Sequence, residues 1–320
     1  MDSQRRKSNV ALLSVVSNAM LVTLKLAVGL LIGSVAVLSE AIHSGLDLVA
    51  SLIAFFAIKQ SGKPADADHP YGHGKIENLS GAVEAVLIFV AAAWIVVEAM
   101  RKLLHPVPIE TLGLGVAVMG VSALANTFVS HRLFKVGHET ESVALQADAW
   151  HLRTDVYTSL GVFAGLALIA ISERLVPGTH FHWIDPIAAI LVALLIVRAA
   201  WRLTVQSLRD LIDQSMPEAE QDEIRRALTT FRPEMYGFHR LRTRKAGATR
   251  FIDFHMLVAP KMHVDASHAL ADRVTAKILE RFPRAHVIVH IEPCEGDCDP
   301  TCITGCLRDE AARAAVRRGR

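Results

Sequence analysis

The chain has 320 residues, 52% of them hydrophobic, with a formal net charge of +2. That balance excludes a strongly basic nucleic-acid binder. The four cysteines all lie near the C-terminal end, which excludes a disulfide framework spread over a small secreted domain.

The polar, basic residues 1–8 precede an apolar stretch too long for a signal-peptide core, so it is read as a retained first helix. Six apolar segments follow one another at about 10–32, 35–58, 79–99, 112–133, 144–171 and 184–208. Each is long enough to cross a hydrocarbon core of roughly 30 Å as a helix. Backbone polar groups in lipid must be satisfied internally, which makes such spans helical. The second and fifth segments are the most polar and are expected inside the bundle. Arg5, Arg6, Lys7, Lys59, Lys63, Lys75, Arg132 and Lys135 flank one side, against Arg101, Lys102 and Arg174 on the other. That excess predicts both termini in the cytoplasm.

From about Met216 the composition becomes that of a soluble domain. A helix is predicted over 217–230, strands over 238–245 and 250–259 around an Ala246-Gly247-Ala248 turn, a helix over 265–282 and a strand over 286–291. The fold class is therefore an α-helical bundle of six transmembrane helices plus an α-β-β-α-β domain of the α+β type. The predicted division is a membrane domain over 1–214, a soluble domain over 215–293, and a cysteine-containing basic tail over 294–320.

The strongest chemical signal is a repeated dyad. His43 and Asp47 lie four apart in the second span, as do His151 and Asp155 in the fifth. Each pair shares one helix face. Two such faces meeting supply two imidazoles and two carboxylates, a set suited to tetrahedral zinc. Ionisable residues within a span mark a pathway or site by default. Asp148 is read either as an outer partner of His151 or as a solvated entrance residue. Glu40 is read either as an attractor of cations or as an interhelix hydrogen-bond partner. For Lys25, pairing or snorkelling explains its depth better than ligation.

The loop after the second span holds Asp66, Asp68, His69 and His73 with Gly72 and Gly74, dense in metal-ligating side chains. The soluble domain holds His239, His255, His263, His268, His286, His290 and Glu292. His290 and Glu292 are two apart on a strand and face one side. Cys294, Cys298, Cys302 and Cys306 recur every fourth position. Gly296, Pro300 and Gly305 favour a loop there, which could wrap a soft metal or carry redox-active thiols.

These residues resemble the cation diffusion facilitator family, more specifically its bacterial zinc and iron efflux pumps, which are proton-coupled antiporters. The marks are Ser39-Glu40-Ala41-Ile42-His43-Ser44 with Asp47, then Asp68-His69-Pro70-Tyr71-Gly72-His73-Gly74-Lys75-Ile76-Glu77. They continue with Ala147-Asp148-Ala149-Trp150-His151 and Asp155, then Leu241-Arg242-Thr243-Arg244 with Gly247, Thr249, Arg250 and Phe251. Val287-Ile288-Val289-His290-Ile291-Glu292-Pro293 closes the series, which spans roughly residues 8–294.

The resemblance implies a homodimer in the inner (plasma) membrane, with a cytosolic metallochaperone-like domain on each subunit. It implies a transport site of His43, Asp47, His151 and Asp155, and a loop site of Asp66, His69 and His73. It also implies a binuclear site of His239, His255, His268, His290 and Glu292, and a charge interlock of Lys75 with Asp213. Two positions depart from the family: His43 stands where several pumps have Asp, and Glu292 where a shorter carboxylate is usual.

The expected activity is zinc-for-proton antiport out of the cytosol, with no enzymatic step and zinc in structural sites as well. Metal binding needs neutral imidazole and ionised carboxylate, so protons compete for the same ligands. Ferrous iron, cadmium or cobalt efflux by the same site is the alternative. A membrane-anchored metal sensor is the alternative of another class. The partners expected are a second copy, the lipid bilayer, divalent metal ions and protons, with no nucleic acid.

Overall fold

The computed structural model describes every residue other than 1, 34, 105–113, 176–182, 297–301, 303 and 314–320. The chain forms two compact units, 1–211 and 212–320.

The first unit is six helices: α1 (Asp2–Ile32), α2 (Val35–Ser61), α3 (Lys75–Leu104), α4 (Leu114–Glu139), α5 (Val143–Leu175) and α6 (Ile184–Leu211). By length and composition α1, α2, α3 and α6 each hold a stretch able to cross a membrane. The helices pack through small side chains. Ala85, Ile88 and Ala92 of α3 meet Ala147 of α5 and Ile196, Ala200 and Leu203 of α6. Ala11, Ile58, Val129, Leu133, Ala144, Leu145, Ala149 and Leu152 form a second cluster across α1, α2, α4 and α5. Alanines let helix backbones approach closely where lipid gives no hydrophobic drive for association. The outer surface carries exposed Leu31, Trp94, Leu124 and Leu195, as a lipid-facing surface requires.

The polarity of α2 and α5 has the structural consequence expected of it. The apolar stretch of α2 is 44% buried against 28–33% for the other three spans. Along α5, residues 143–152 are buried at all but two positions. α5 packs against α2, α3, α4 and α6, so its dyad sits in the interior.

The second unit contains α7 (Glu218–Thr229), β1 (Gly237–Ala246), β2 (Thr249–Val258), α8 (Val264–Arg281) and β3 (Ala285–Pro293). β2 is central, antiparallel to β1 and parallel to β3. A tight turn joins β1 to β2 with Gly247 at φ 58°, a left-handed conformation that glycine adopts without steric cost. The parallel pairing needs a crossover, and α8 supplies it. Strand alternation puts Ile252, Phe254, Met256 and Val258 of β2 in the core with Ile224 and Leu228 of α7 and Leu270, Val274 and Ile278 of α8. The other sheet face is open and carries the histidines.

Candidate metal sites

The α2 and α5 dyads meet in crossed pairs. His151 Nε2 lies 3.0 Å from Asp47 Oδ1, and His43 Nε2 lies 3.8 Å from Asp155 Oδ1. Each imidazole therefore faces the carboxylate of the other helix. Donor atoms of His43, Asp47 and Asp155 all lie within 4.8 Å of one another, and His151 joins them through Asp47. Zinc bonds of about 2.0–2.1 Å at tetrahedral angles put neighbouring ligand atoms about 3.3 Å apart, between the two pair distances observed. Asp47 and His151 are buried, with side chains 5% and 8% exposed. His43 is 48% exposed and gives the site its opening.

Neighbours hold the carboxylates. Asn126 of α4 donates to Asp155 Oδ2 at 3.3 Å, and Asn18 of α1 donates to the Asp47 carbonyl at 3.5 Å. Lys25, buried on α1, donates to Ser44 Oγ at 2.7 Å and Glu40 Oε2 at 3.1 Å. Of the two readings of Glu40, the interhelix bond is the one formed, and Lys25 is paired. Asp148 is fully buried, so it is not a solvated entrance residue.

In the loop, Asp66 gathers both histidines: His69 Nδ1 at 3.2 Å from Oδ1 and His73 Nε2 at 3.3 Å from Oδ2. The backbone N–H of His69 donates to Asp66 at 2.7 Å. That bond, with the two imidazoles, holds the carboxyl below its ordinary value against the opposing effect of burial. Asp66 is therefore ionised and ready to ligate.

In the second unit, His239, His255 and His290 are cross-strand partners in one row over β1, β2 and β3. Glu292 lies two residues along β3 and reaches back across them. Its Oε2 is 2.8 Å from His239 Nε2, and its Oε1 is 2.8 Å from His255 Nδ1 and 3.3 Å from His290 Nε2. Burial pushes the Glu292 carboxyl up, but the bonds from His239 and His255 outweigh it and hold it below its ordinary value. The longer carboxylate thus spans two imidazoles at once. The His239 Nδ1 atom is buried with no hydrogen-bond partner among the described residues. Three nitrogens and a carboxylate on one face fit a divalent transition metal.

Other sequence-predicted residues are not drawn into these clusters. His268 lies on α8, exposed, with Asp272 one turn on at 3.9 Å. Lys75 donates to the Leu211 carbonyl at 3.2 Å, and Asp213 accepts from Arg244 at 3.3 Å. Among the described residues Cys294, Cys302 and Cys306 form no disulfide; Cys298 lies outside the described residues. Among the described residues no three cysteine sulfurs converge.

The tail instead docks along β1. Phe238 N–H donates to the Gly305 carbonyl at 3.0 Å and Leu307 N–H to the Tyr236 carbonyl at 2.9 Å. Leu307 enters the core, and the Arg308 guanidinium sits 4.2 Å over the Tyr236 ring. A Cβ at Gly305 would fall 1.7 Å from the Phe238 carbonyl oxygen, so only glycine fits there.

Sequence reasoning passed over Asn126 and Glu84, polar residues within predominantly apolar spans. That setting was the available signal.

Residues 11–212 match the family model described as the cation efflux transmembrane domain, and residues 216–294 that of the cation efflux protein cytoplasmic domain. An uncharacterized transporter of Synechocystis sp. (strain ATCC 27184 / PCC 6803 / Kazusa) is 35% identical over 89% of this chain and 90% of its own length. The cation-efflux pump FieF of Salmonella newport (strain SL254) is 31% identical over 82% of this chain and 84% of its own. The solved structure titled "Mode of Action of a Putative Zinc Transporter CzrB (Zn form)" is 32% identical. It covers 27% of this chain and 98% of that one, at a TM-score of 0.26.

Proposed function

The chain belongs to the cation efflux family, the cation diffusion facilitators, and from that premise we propose that its cargo is zinc, carried out of the cytosol in exchange for protons. As a member it is a membrane-embedded cation transporter and not an enzyme. Its cytoplasmic domain is of the kind through which the family dimerises.

The observation that carries the zinc reading is the crossed set of His43, Asp47, His151 and Asp155. Two imidazoles and two carboxylates match the donor preference of zinc, whereas magnesium and calcium want all-oxygen cages. In the metal-free state each carboxylate faces an imidazole. Metal entering through the exposed His43 replaces those contacts and requires ionised carboxylates and neutral imidazoles. Protons returning to the same groups restore the pairs and expel the metal. With neutral imidazoles the set carries two negative charges, which one divalent cation balances.

The loop set of Asp66, His69 and His73 and the cytoplasmic set of His239, His255, His290 and Glu292 are proposed as further zinc sites. His268 is proposed to complete the second from the surface of α8. The excess of basic residues at the start of α1, around the α2–α3 loop and near the end of α4 supports an inner-membrane protein with both termini in the cytoplasm. Lys75 and Asp213 are proposed to interlock, and a metal role for the tail cysteines is proposed with them.

The test is metal uptake into inverted proteoliposomes under an imposed proton gradient, with zinc, ferrous iron and cadmium tested separately. Wild type should accumulate zinc, and Asp155→Ala should not. Indifference to the gradient would overturn the antiport; preference for iron would reassign the cargo to the same site. A wild type that folds but moves no metal would favour the membrane-anchored sensor.

A further inference from the structure

Two acidic side chains in the bundle interior are used by none of the metal sites. Glu84 on α3 and Asp148 on α5 are both fully buried. Among the described residues, Glu84 Oε2 and both carboxyl oxygens of Asp148 have no partner that meets hydrogen-bond geometry. Ser80 Oγ donates to Glu84 Oε1 at 3.4 Å. Neither residue forms an ion pair among the described residues.

The helices bring the two together. A Cβ on Gly81, one turn before Glu84, would lie 3.9 Å from the Ala147 side chain and 2.8 Å from Ser207 Oγ. Asp148 follows Ala147, and its charge acts on Glu84. The buried Ser14 hydroxyl of α1 lies beside Asp148, and the Ser207 hydroxyl of α6 is buried with no hydrogen-bond partner among the described residues. Ser14 beside Asp148 and Ser207 beside Gly81 thus add hydroxyls of α1 and α6 to the neighbourhood of the two carboxyls. The charged or titratable groups whose fields reach the pair are His151 of α5 and Asp47 of α2. No lysine or arginine is among them.

Two ionised carboxylates cannot rest there unpaired. Burying an uncompensated carboxylate costs several kcal/mol, and a second close by adds repulsion. A proton removes one charge and converts an acceptor into a donor, which gives the orphaned oxygens a partner. We propose that Glu84 and Asp148 share a proton in the resting transporter, forming a second protonatable site across α3 and α5, outside the metal-ligand set. Asp148 lies three residues before His151 on the same helix, so a proton held there is one turn from the group that must exchange metal for protons. That link to transport rests on the efflux reading; the shared proton does not.

The test is infrared difference spectroscopy of the purified full-length chain in lipid nanodiscs at neutral pH, with H–D exchange. The C=O stretch of a protonated carboxyl should be present in wild type and lost in both Glu84→Gln and Asp148→Asn. Each substitution keeps shape and removes the titrating group, and an unchanged amide band reports that the fold survives. A wild type without the band, or a band unchanged in both variants, overturns the pair. Zinc uptake by the same preparations is read separately. Failure of wild type to transport would count against the efflux reading and leave the infrared result standing.

Discussion

Glu292 is the side chain on which the proposed metal site of the cytoplasmic domain turns, because its two oxygens reach three imidazoles on three strands. Replacing it with alanine removes the sole carboxylate from the row of His239, His255 and His290. Structural zinc contributes about 10–16 kcal/mol over four ligands in small domains, so one ligand is worth about 3 kcal/mol. Loss of Glu292 should then weaken zinc binding by roughly two orders of magnitude in Kd. Glu292→Asp separates reach from charge. A chain shorter by one methylene, about 1.5 Å, keeps the anion but cannot stay within 2.8 Å of both His239 and His255. Its loss should be intermediate. The assay is competition with a chromophoric chelator, on full-length protein in the Asp155→Ala background, so that the membrane site does not contribute. Unchanged affinity in Glu292→Ala would refute the reasoning and leave Glu292 as a brace for the imidazoles.

Glu77, 2% exposed, accepts from Lys7 Nζ at 2.7 Å, Ser61 Oγ at 2.9 Å and Ser142 Oγ at 2.5 Å. It thereby ties α1, α2 and the α4–α5 turn to the start of α3. Glu77→Gln leaves the Lys7 charge buried and uncompensated, which should cost about 3–5 kcal/mol; thermal unfolding in detergent should show a clear fall in Tm, and Lys7→Met with Glu77→Met should restore most of it. The Glu292 carboxyl is held below its ordinary value, so the unfolded chain takes up a proton there before the folded one does. Its contribution to the metal-free cytoplasmic domain should be complete above the ordinary carboxylate range and fade as pH falls through the lowered folded value. Unfolding midpoints of wild type and Glu292→Gln, compared across that acidic range, should therefore converge as pH falls.

Much of this was legible because spacing alone fixes which side chains share a face. Four residues on a helix align His43 with Asp47 and His151 with Asp155, and two on a strand align His290 with Glu292. Family resemblance added His239 and His255. Spacing does not say how two faces meet. The crossing of the dyads, His43 to Asp155 and His151 to Asp47, depends on how α2 and α5 pack. His268 shows the same limit: it is on α8, whose buried side packs against the sheet face opposite the histidine row. The docked tail was hidden because its anchors are backbone hydrogen bonds and one leucine, Leu307, which carry no pattern. Glu84 was hidden by its surroundings, since one glutamate in an apolar span hardly alters a hydropathy window.

The charge inventory of the bundle gives the proposed exchange its physical basis. Among the described residues two cations are buried in it, Lys7 and Lys25. Lys7 is taken by Glu77, and Lys25 by Glu40 and Ser44. Among the described residues, the carboxyls of Asp47, Asp155, Asp148 and Glu84 form no ion pair with a lysine or arginine, and the proposed counter-charges are the imidazoles of His43 and His151, protons and the transported metal. Fixed counter-charges would hold the bundle neutral throughout a cycle and leave a metal ion nothing to balance. An interior short of fixed cations cannot give up its metal without taking up protons, because an emptied pair of carboxylates has no other relief in a low-dielectric setting. The proposed coupling between metal and proton thus rests on the scarcity of fixed cations among the described interior residues as much as on the four proposed ligands.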